Sequence, residues 1–193
     1  MYKLKIISST VRPGRKGPVI AEWIAEKARQ FGKFEVEVID LGEVNLPLMA
    51  EANHPRMQKY ELEHTKKWSA KIDEADAFIF VTAEYNYNYP AALRNALEYL
   101  SFEWNYKAAG IVSYGGVSAG TRAANQLKGD LPTFKIVPVP EAVHIPFYSQ
   151  FINESNELVG NEIMDQSADA LLKELTRWTK GLKIVKEDTL AIA

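Results

Sequence analysis

The sequence predicts an α/β domain built on a doubly wound parallel sheet of five strands, with helices on both faces. Three observations lead there. Short runs that are apolar almost throughout, such as LKIIS (4–8), DAFIFVT (76–82) and AAGIVSY (108–114), lack the alternation of a half-exposed strand and call for burial on both faces. Each is followed by a segment with helical spacing, so the strands are joined by crossovers and not hairpins. No repeat, low-complexity tract or composition shift divides the chain, so residues 1–193 read as a single domain.

The elements follow in order. After LKIIS and a turn rich in Gly, Pro and Arg, the first helix carries Val19, Ile20, Trp23, Ile24, Ala28 and Phe31 on one side. VEVIDL (36–41) is the second strand, 41–56 a long loop, and 57–74 a helix with Tyr60, Trp68 and Ile72 inward. DAFIFVT is the third strand, and the helix after it has Pro90 in its first turn, where a missing N–H costs nothing. AAGIVSY is the fourth strand and GTRAANQLK (120–128) its helix. FKIVPVP (134–140) reads as a fifth strand near an edge, because its prolines cannot donate to a ladder. The last helix, 162–182, places Met164, Ala168, Leu171, Leu175, Trp178 and Leu182 at alternating spacings of four and three.

Composition narrows the function. The formal net charge of -2 provides no general basic field, so nucleic acid is not an expected partner. Cysteine is absent, which removes disulfides and thiol chemistry and leaves any redox role to a bound cofactor. No apolar run reaches the roughly 18 to 20 residues of a membrane span, and the start MYKLKIISS lacks the layout of a cleavable signal, so a cytoplasmic protein without membrane contact is expected. His54, His64 and His144 lack metal-ligand spacing, and no metal is expected.

In a doubly wound sheet, ligands sit beyond the carboxyl ends of the strands. The first such loop, SSTVRPGRKGP (8–18), brings hydroxyls and the cations Arg12, Arg15 and Lys16 to a helix start, which suits a phosphate monoester; the alternative is a solvated basic turn capped by Gly17 and Pro18. The third, AEYNYNY (83–89), offers aromatic faces and amides to a flat heterocycle, Tyr85 and Asn86 more than Tyr87 and Tyr89, which are expected to pack. The fourth, SYGGVSAGTRAA (113–124), has the glycines for close backbone approach. It also contains GVSAG, a GxSxG pattern with Ser118 central, followed by Asp130 and His144 in the chain order of a serine-hydrolase triad. A small serine hydrolase is therefore one reading of these loops.

IISSTVRPGRKGP, TAEYNYNYPAALRNALEYL and KAAGIVSYGGVSAGTRAA together resemble, in order and spacing, the flavin-contacting segments of the NADPH-dependent FMN reductase family, a flavodoxin-like group that includes quinone, azo and chromate reductases. The resemblance runs from Lys3 to about Pro146. It implies an oxidoreductase with FMN as cofactor, NADPH or NADH as co-substrate and a small-molecule electron acceptor, with chemistry borne by the flavin and no catalytic side chain; the hydrolase and a flavin-binding electron carrier without turnover are the alternatives. It places Ser9, Thr10, Arg12 and Arg15 on the phosphate, with Gly17, Pro18 and Val19 at the adjoining helix start, Glu84, Tyr85, Asn86 and Tyr87 along the isoalloxazine, and Ser113, Gly115, Gly116 and Ser118 on its other side. Ser8 where a Gly often stands, the extra Val11, Ala83 in place of the usual Pro and Ala119-Gly120 in place of Gly-Gly depart from the family pattern. A homodimer or homotetramer is also expected, since Tyr87, Tyr89, Tyr99 and Trp104 are more large aromatics than the core of a chain this size readily hides.

Overall fold

A computed structural model describes residues 1–192, with the side chains of 189–192 left out of the description. Five strands, β1 (Tyr2–Ser8), β2 (Phe34–Asp40), β3 (Ala77–Ala83), β4 (Lys107–Tyr114) and β5 (Ile136–Ile145), form one sheet in the order β2-β1-β3-β4-β5. Every pairing is parallel. β3 and β4 are buried along their whole length, which is why their sequences show no alternation. β5 lies at the edge, as its prolines require, and runs five residues beyond Pro140 to Ile145.

Helices cover both faces. On one, α1 (Gly17–Phe31) and α6 (Glu162–Ile192) pack Ile20, Ile24, Leu171 and Leu175 against Ile6, Ile79 and Val112. On the other, α3 (Glu63–Asp73), α4 (Ala91–Glu98) and α5 (Thr121–Asp130) bring Trp68, Leu93, Leu97 and Leu127 onto Phe78, Phe80 and Ile111. A short α2 (Leu41–Val44) occupies the start of the expected long loop, capped by the Asp40 carboxylate accepting from the Gly42 N–H at 2.9 Å.

Three local expectations are corrected. The helix expected from Met57 begins at Glu63. His54 Nδ1 accepts from the Arg56 N–H to make a 3-10 turn ending at Gln58 in the left-handed region, and the Glu51 carboxylate accepts from the N–H groups of Glu61 and Leu62. These side-chain bonds capture backbone donors a longer helix would have used. In α6, Trp178 is 42% exposed, because the residue one turn after Leu175 is Thr179, which is fully buried with its hydroxyl donating to the Leu175 carbonyl.

The third concerns the aromatics. Tyr89, Tyr99 and Trp104 are all buried within the single chain. Trp104 sits between Phe78 and Trp68 and donates to the Leu97 carbonyl at 3.1 Å, and the Tyr99 hydroxyl reaches the Pro47 carbonyl at 3.0 Å under the loop after α2. A second copy is not needed to bury them.

Candidate functional site

Strand order reverses beside β1, so the loops after β1 and β3 leave the sheet in opposite senses and open a crevice at its carboxyl edge. Arg12, Arg15 and Lys16 from the first loop, Ala83, Glu84 and Tyr85 from the third, and Tyr114, Gly115 and Gly116 from the fourth line a cleft of about 190 Å³ there, with Tyr148 closing one side. A larger cavity of about 640 Å³ lies at the other end of the sheet, around Tyr60, Phe102 and Tyr106, away from all three loops.

The first loop is built around hydroxyls. The Ser8 and Ser9 hydroxyls are buried with no hydrogen-bond partner among the described residues, and Thr10 Oγ1 stands 3.4 Å from the Tyr114 hydroxyl. A Cβ on Gly17 would lie 2.4 Å from Thr10 Oγ1, 2.6 Å from Ser8 Oγ and 3.2 Å from the Tyr114 hydroxyl. Those oxygens therefore converge on the first residue of α1, whose N–H groups have no side-chain cap and whose Pro18 presets the first turn. Burial pushes the Tyr114 phenol pKa well up, so it stays a proton donor. Orphaned hydroxyls, free helix N–H groups and a glycine that admits close approach fit a phosphate monoester such as that of FMN. Val19 is different, packing against the core on the α1 and α6 side.

The three cations separate. Arg15 Nη2 donates to Asp40 Oδ2 at 2.6 Å, so its charge is spent at the end of β2. Lys16 Nζ donates to Asn156 at 2.5 Å. Arg12 is exposed, has no carboxylate partner among the described residues, and reaches across the cleft to donate to the Tyr85 hydroxyl at 3.1 Å. Of the three it remains the best placed to meet an anion.

In the third loop, Tyr85 and Asn88 exchange backbone hydrogen bonds of 2.8 and 3.1 Å, so Asn86 and Tyr87 form a two-residue tip with both φ angles positive. Asn86 and Tyr87 point out at this tip, leaving Tyr85 as the residue that faces the cleft. The Glu84 carboxylate is held by Ser118 and Arg122. Burial raises its pKa, but hydrogen bonds from Arg122 and Ser118 and the Arg122 charge outweigh that and hold it below the ordinary carboxylate range. In the fourth loop the Ser113 hydroxyl donates to the Ala119 carbonyl at 2.8 Å and contacts His144 Nδ1 at 2.7 Å, beneath the glycine turn. Gly120 has φ 74° and a Cβ there would come within 2.8 Å of the Tyr114 carbonyl, so this turn requires glycine.

The hydrolase alternative is corrected by the same contacts. Ser118 donates to Glu84 at 3.2 Å, His144 pairs with Ser113, and Asp130 accepts from Tyr89 and Arg94. His144 does not address Ser118 and Asp130 does not address His144, because the three would-be triad members are drawn into three separate networks.

Sequence reading missed Ser8, Tyr114 and Tyr148. Tyr148 meets Tyr114 edge to face at 5.0 Å. The signal was EAVHI (141–145), an alternating run that continues β5 and puts PFYS at a strand's carboxyl end, the same position as the other three loops.

The sequence model for NADPH-dependent FMN reductase matches residues 2–150, more than three quarters of the chain. The chain belongs to that family. It is 40% identical over 148 residues to an NAD(P)H-dependent FMN reductase of Schizosaccharomyces pombe, covering 75% of this chain and 74% of that protein. Against an NAD(P)H-dependent FMN reductase of a Nectria species it is 32% identical over 199 residues, covering 98% and 92%. Other relatives are named as an azoreductase and as quinone oxidoreductases. Among solved structures, the flavoenzyme NAD(P)H:(acceptor) oxidoreductase FerB of Paracoccus denitrificans superimposes with a TM-score of 0.75 at 19% identity, covering 94% of this chain and 98% of that one. At that identity the likeness shows the fold alone, which is flavodoxin-like.

Proposed function

We propose that this member of the NADPH-dependent FMN reductase family acts as an FMN-dependent NAD(P)H oxidoreductase, taking hydride from a reduced nicotinamide and delivering electrons to a small organic acceptor of the quinone or azo class. The observation that carries the cofactor assignment is the pair of orphaned Ser8 and Ser9 hydroxyls in a loop whose Ser8 and Thr10 oxygens close on Gly17 at the uncapped start of α1. When bound, FMN supplies the two-electron chemistry. Ser8, Ser9, Thr10 and the N–H groups in the first turn of α1 would hold the phosphate, and Arg12 would add its charge by leaving Tyr85. Tyr85 would wall one side of the ring site and Gly115 and Gly116 the other, with Tyr114 and Tyr148 lining the same cleft. Arg15 acts indirectly, by tying the first loop to Asp40.

A terminal dianion suits this helix start better than a bridging diphosphate, so FMN is bound in preference to FAD. The acceptor class draws support from the azoreductase and quinone oxidoreductase names among the relatives. The reading extends to a single FMN-binding domain that works as a homodimer or homotetramer in the cytoplasm, where reduced nicotinamides are regenerated. Titration of apoprotein with FMN, FAD and riboflavin, followed by steady-state NADPH and NADH oxidation with a soluble benzoquinone, tests the core of it. FMN binding tightest of the three, with quinone-dependent turnover, is the expected result. Flavin binding without turnover would return the chain to an electron carrier.

A further inference from the structure

We propose that Arg122, which has no part in the flavin site as assigned above, is the positioning residue that sets the ring-binding wall by locking the loop after β3 to the loop after β4. The inference rests on the flavoenzyme reading and concerns what shapes its site. Arg122 lies in the first turn of α5, the end of a helix where the macrodipole disfavours a cation, and the turn contains no acidic residue of its own. Its compensation comes from another element. Nε donates to Glu84 Oε1 at 2.6 Å, Nη2 pairs with the same oxygen, and Ser118 donates to Glu84 Oε2 at 3.2 Å. The Glu84 side chain is 8% exposed, so this carboxylate depends on those partners for its charge.

The same guanidinium has a second task. Its carbon sits 4.0 Å from the centre of the Tyr87 ring, and Tyr87 is 66% exposed, so the stack buries nothing that the core needs. What the stack holds is the tip. A two-residue turn with positive φ at both positions favours Asn then Gly, and here the second position is a tyrosine at φ 70°. A bulky residue in that conformation persists only when its surroundings over-determine it. Arg122 does so from α5, and thereby sets where Tyr85, two residues before the tip's second position, faces Gly115 and Gly116 across the cleft. A planar guanidinium can pair edge-on and stack face-on at once, which an ammonium cannot.

Apoprotein variants Arg122→Met, Arg122→Lys and Tyr87→Leu, titrated with FMN and with riboflavin, test the proposal, with the visible circular dichroism of bound flavin and the thermal midpoint of each apoprotein as further readouts. Arg122→Met is expected to weaken both flavins by the same factor, about tenfold, and to change the visible dichroism. Tyr87→Leu should give a smaller loss in the same sense with an unchanged thermal midpoint. Arg122→Lys should restore much of the midpoint and little of the affinity, which separates positioning from a merely structural ion pair. Unchanged affinity for both flavins in Arg122→Met overturns the proposal, and so does a loss confined to FMN, which would make Arg122 a phosphate contact. If Arg122→Met does not fold, Tyr87→Leu decides, and an unchanged riboflavin affinity overturns it. Failure of the wild-type protein to bind either flavin would instead refute the reading on which the proposal stands.

Discussion

At the level of single residues, charge is distributed by partner and not by position in the loop. Arg12 and Arg15 are three residues apart, yet Arg15 is tied to Asp40 while Arg12 rests on the neutral Tyr85 hydroxyl. A charge-assisted contact to a phosphate is worth about 1.5 to 3 kcal/mol. Arg12→Ala should therefore weaken FMN by roughly tenfold to a hundredfold while leaving riboflavin within about twofold, since riboflavin lacks the phosphate. Equal losses in a fluorescence titration would remove Arg12 from the phosphate. Glu84 gives a pH prediction. Its folded pKa lies below its unfolded value, so its contribution to stability is complete above the unfolded carboxylate pKa and lost as pH falls through the folded one. The thermal midpoint of Glu84→Gln should fall below wild type at neutral pH, and the gap should close below about pH 4. A gap that persists there would assign the effect to packing. None of this pairing was legible in the sequence, where the three cations of the first loop look equivalent.

Elements show a second kind of control, in which one small residue sets the spacing of two layers. Gly110 lies in the middle of β4, where the pairing with β5 shifts register between Ala109 and Ile111. A Cβ at Gly110 would come within 2.7 Å of Leu171 Cδ1 and 3.2 Å of its Cγ, so α6 packs directly on the bare backbone. Gly110→Val should cost about 1 to 3 kcal/mol by overpacking. Urea unfolding should show this loss, and pairing the change with Leu171→Ala should give less than the sum of the two single losses, because the smaller side chain vacates the contested space. Additive losses would mean that strand conformation, and not the helix contact, dominates. The apolar run AAGIVSY identified β4 as a buried strand, but nothing local in it names the helix that needs its glycine. Helix boundaries behave alike: the start of α3 at Glu63 depends on Glu51, twelve residues away, supplying acceptors to Glu61 and Leu62.

At the scale of the whole molecule, burial of Tyr89, Tyr99 and Trp104 inside one chain removes the aromatic surplus as a reason for assembly. A different feature takes its place. Val11, Tyr87, Val117 and Phe147 are exposed, one from each of the loops after β1, β3, β4 and β5, so the loops that line the cleft also carry an apolar rim. We expect that rim to be covered in a homodimer, and multi-angle light scattering at micromolar concentration should return a multiple of the single-chain mass. Val117→Lys, on a residue 82% exposed, should shift that mass toward the monomer without lowering the thermal midpoint by more than about 2 °C. A single-chain mass for the wild-type protein rejects the assembly.

The sequence by itself determined the alternation of buried strands and crossover helices, the edge position of β5, and the gathering of hydroxyls, cations, aromatics and glycines at one edge of the sheet. Those features follow from apolar periodicity and turn chemistry, which act between residues close in the chain. Tertiary structure decided which of those groups meet. It sent Arg15 to Asp40, Ser118 and Arg122 to Glu84, and His144 to Ser113, dismantling a triad that chain order suggested, and it brought Tyr148 to the cleft from beyond the expected end of β5. The physical reason is distance. A hydrogen bond or ion pair is made or lost within about an ångström, and for residues 25 to 38 positions apart, such as Arg15 with Asp40 and Glu84 with Arg122, that distance is set by how the intervening strands and helices pack.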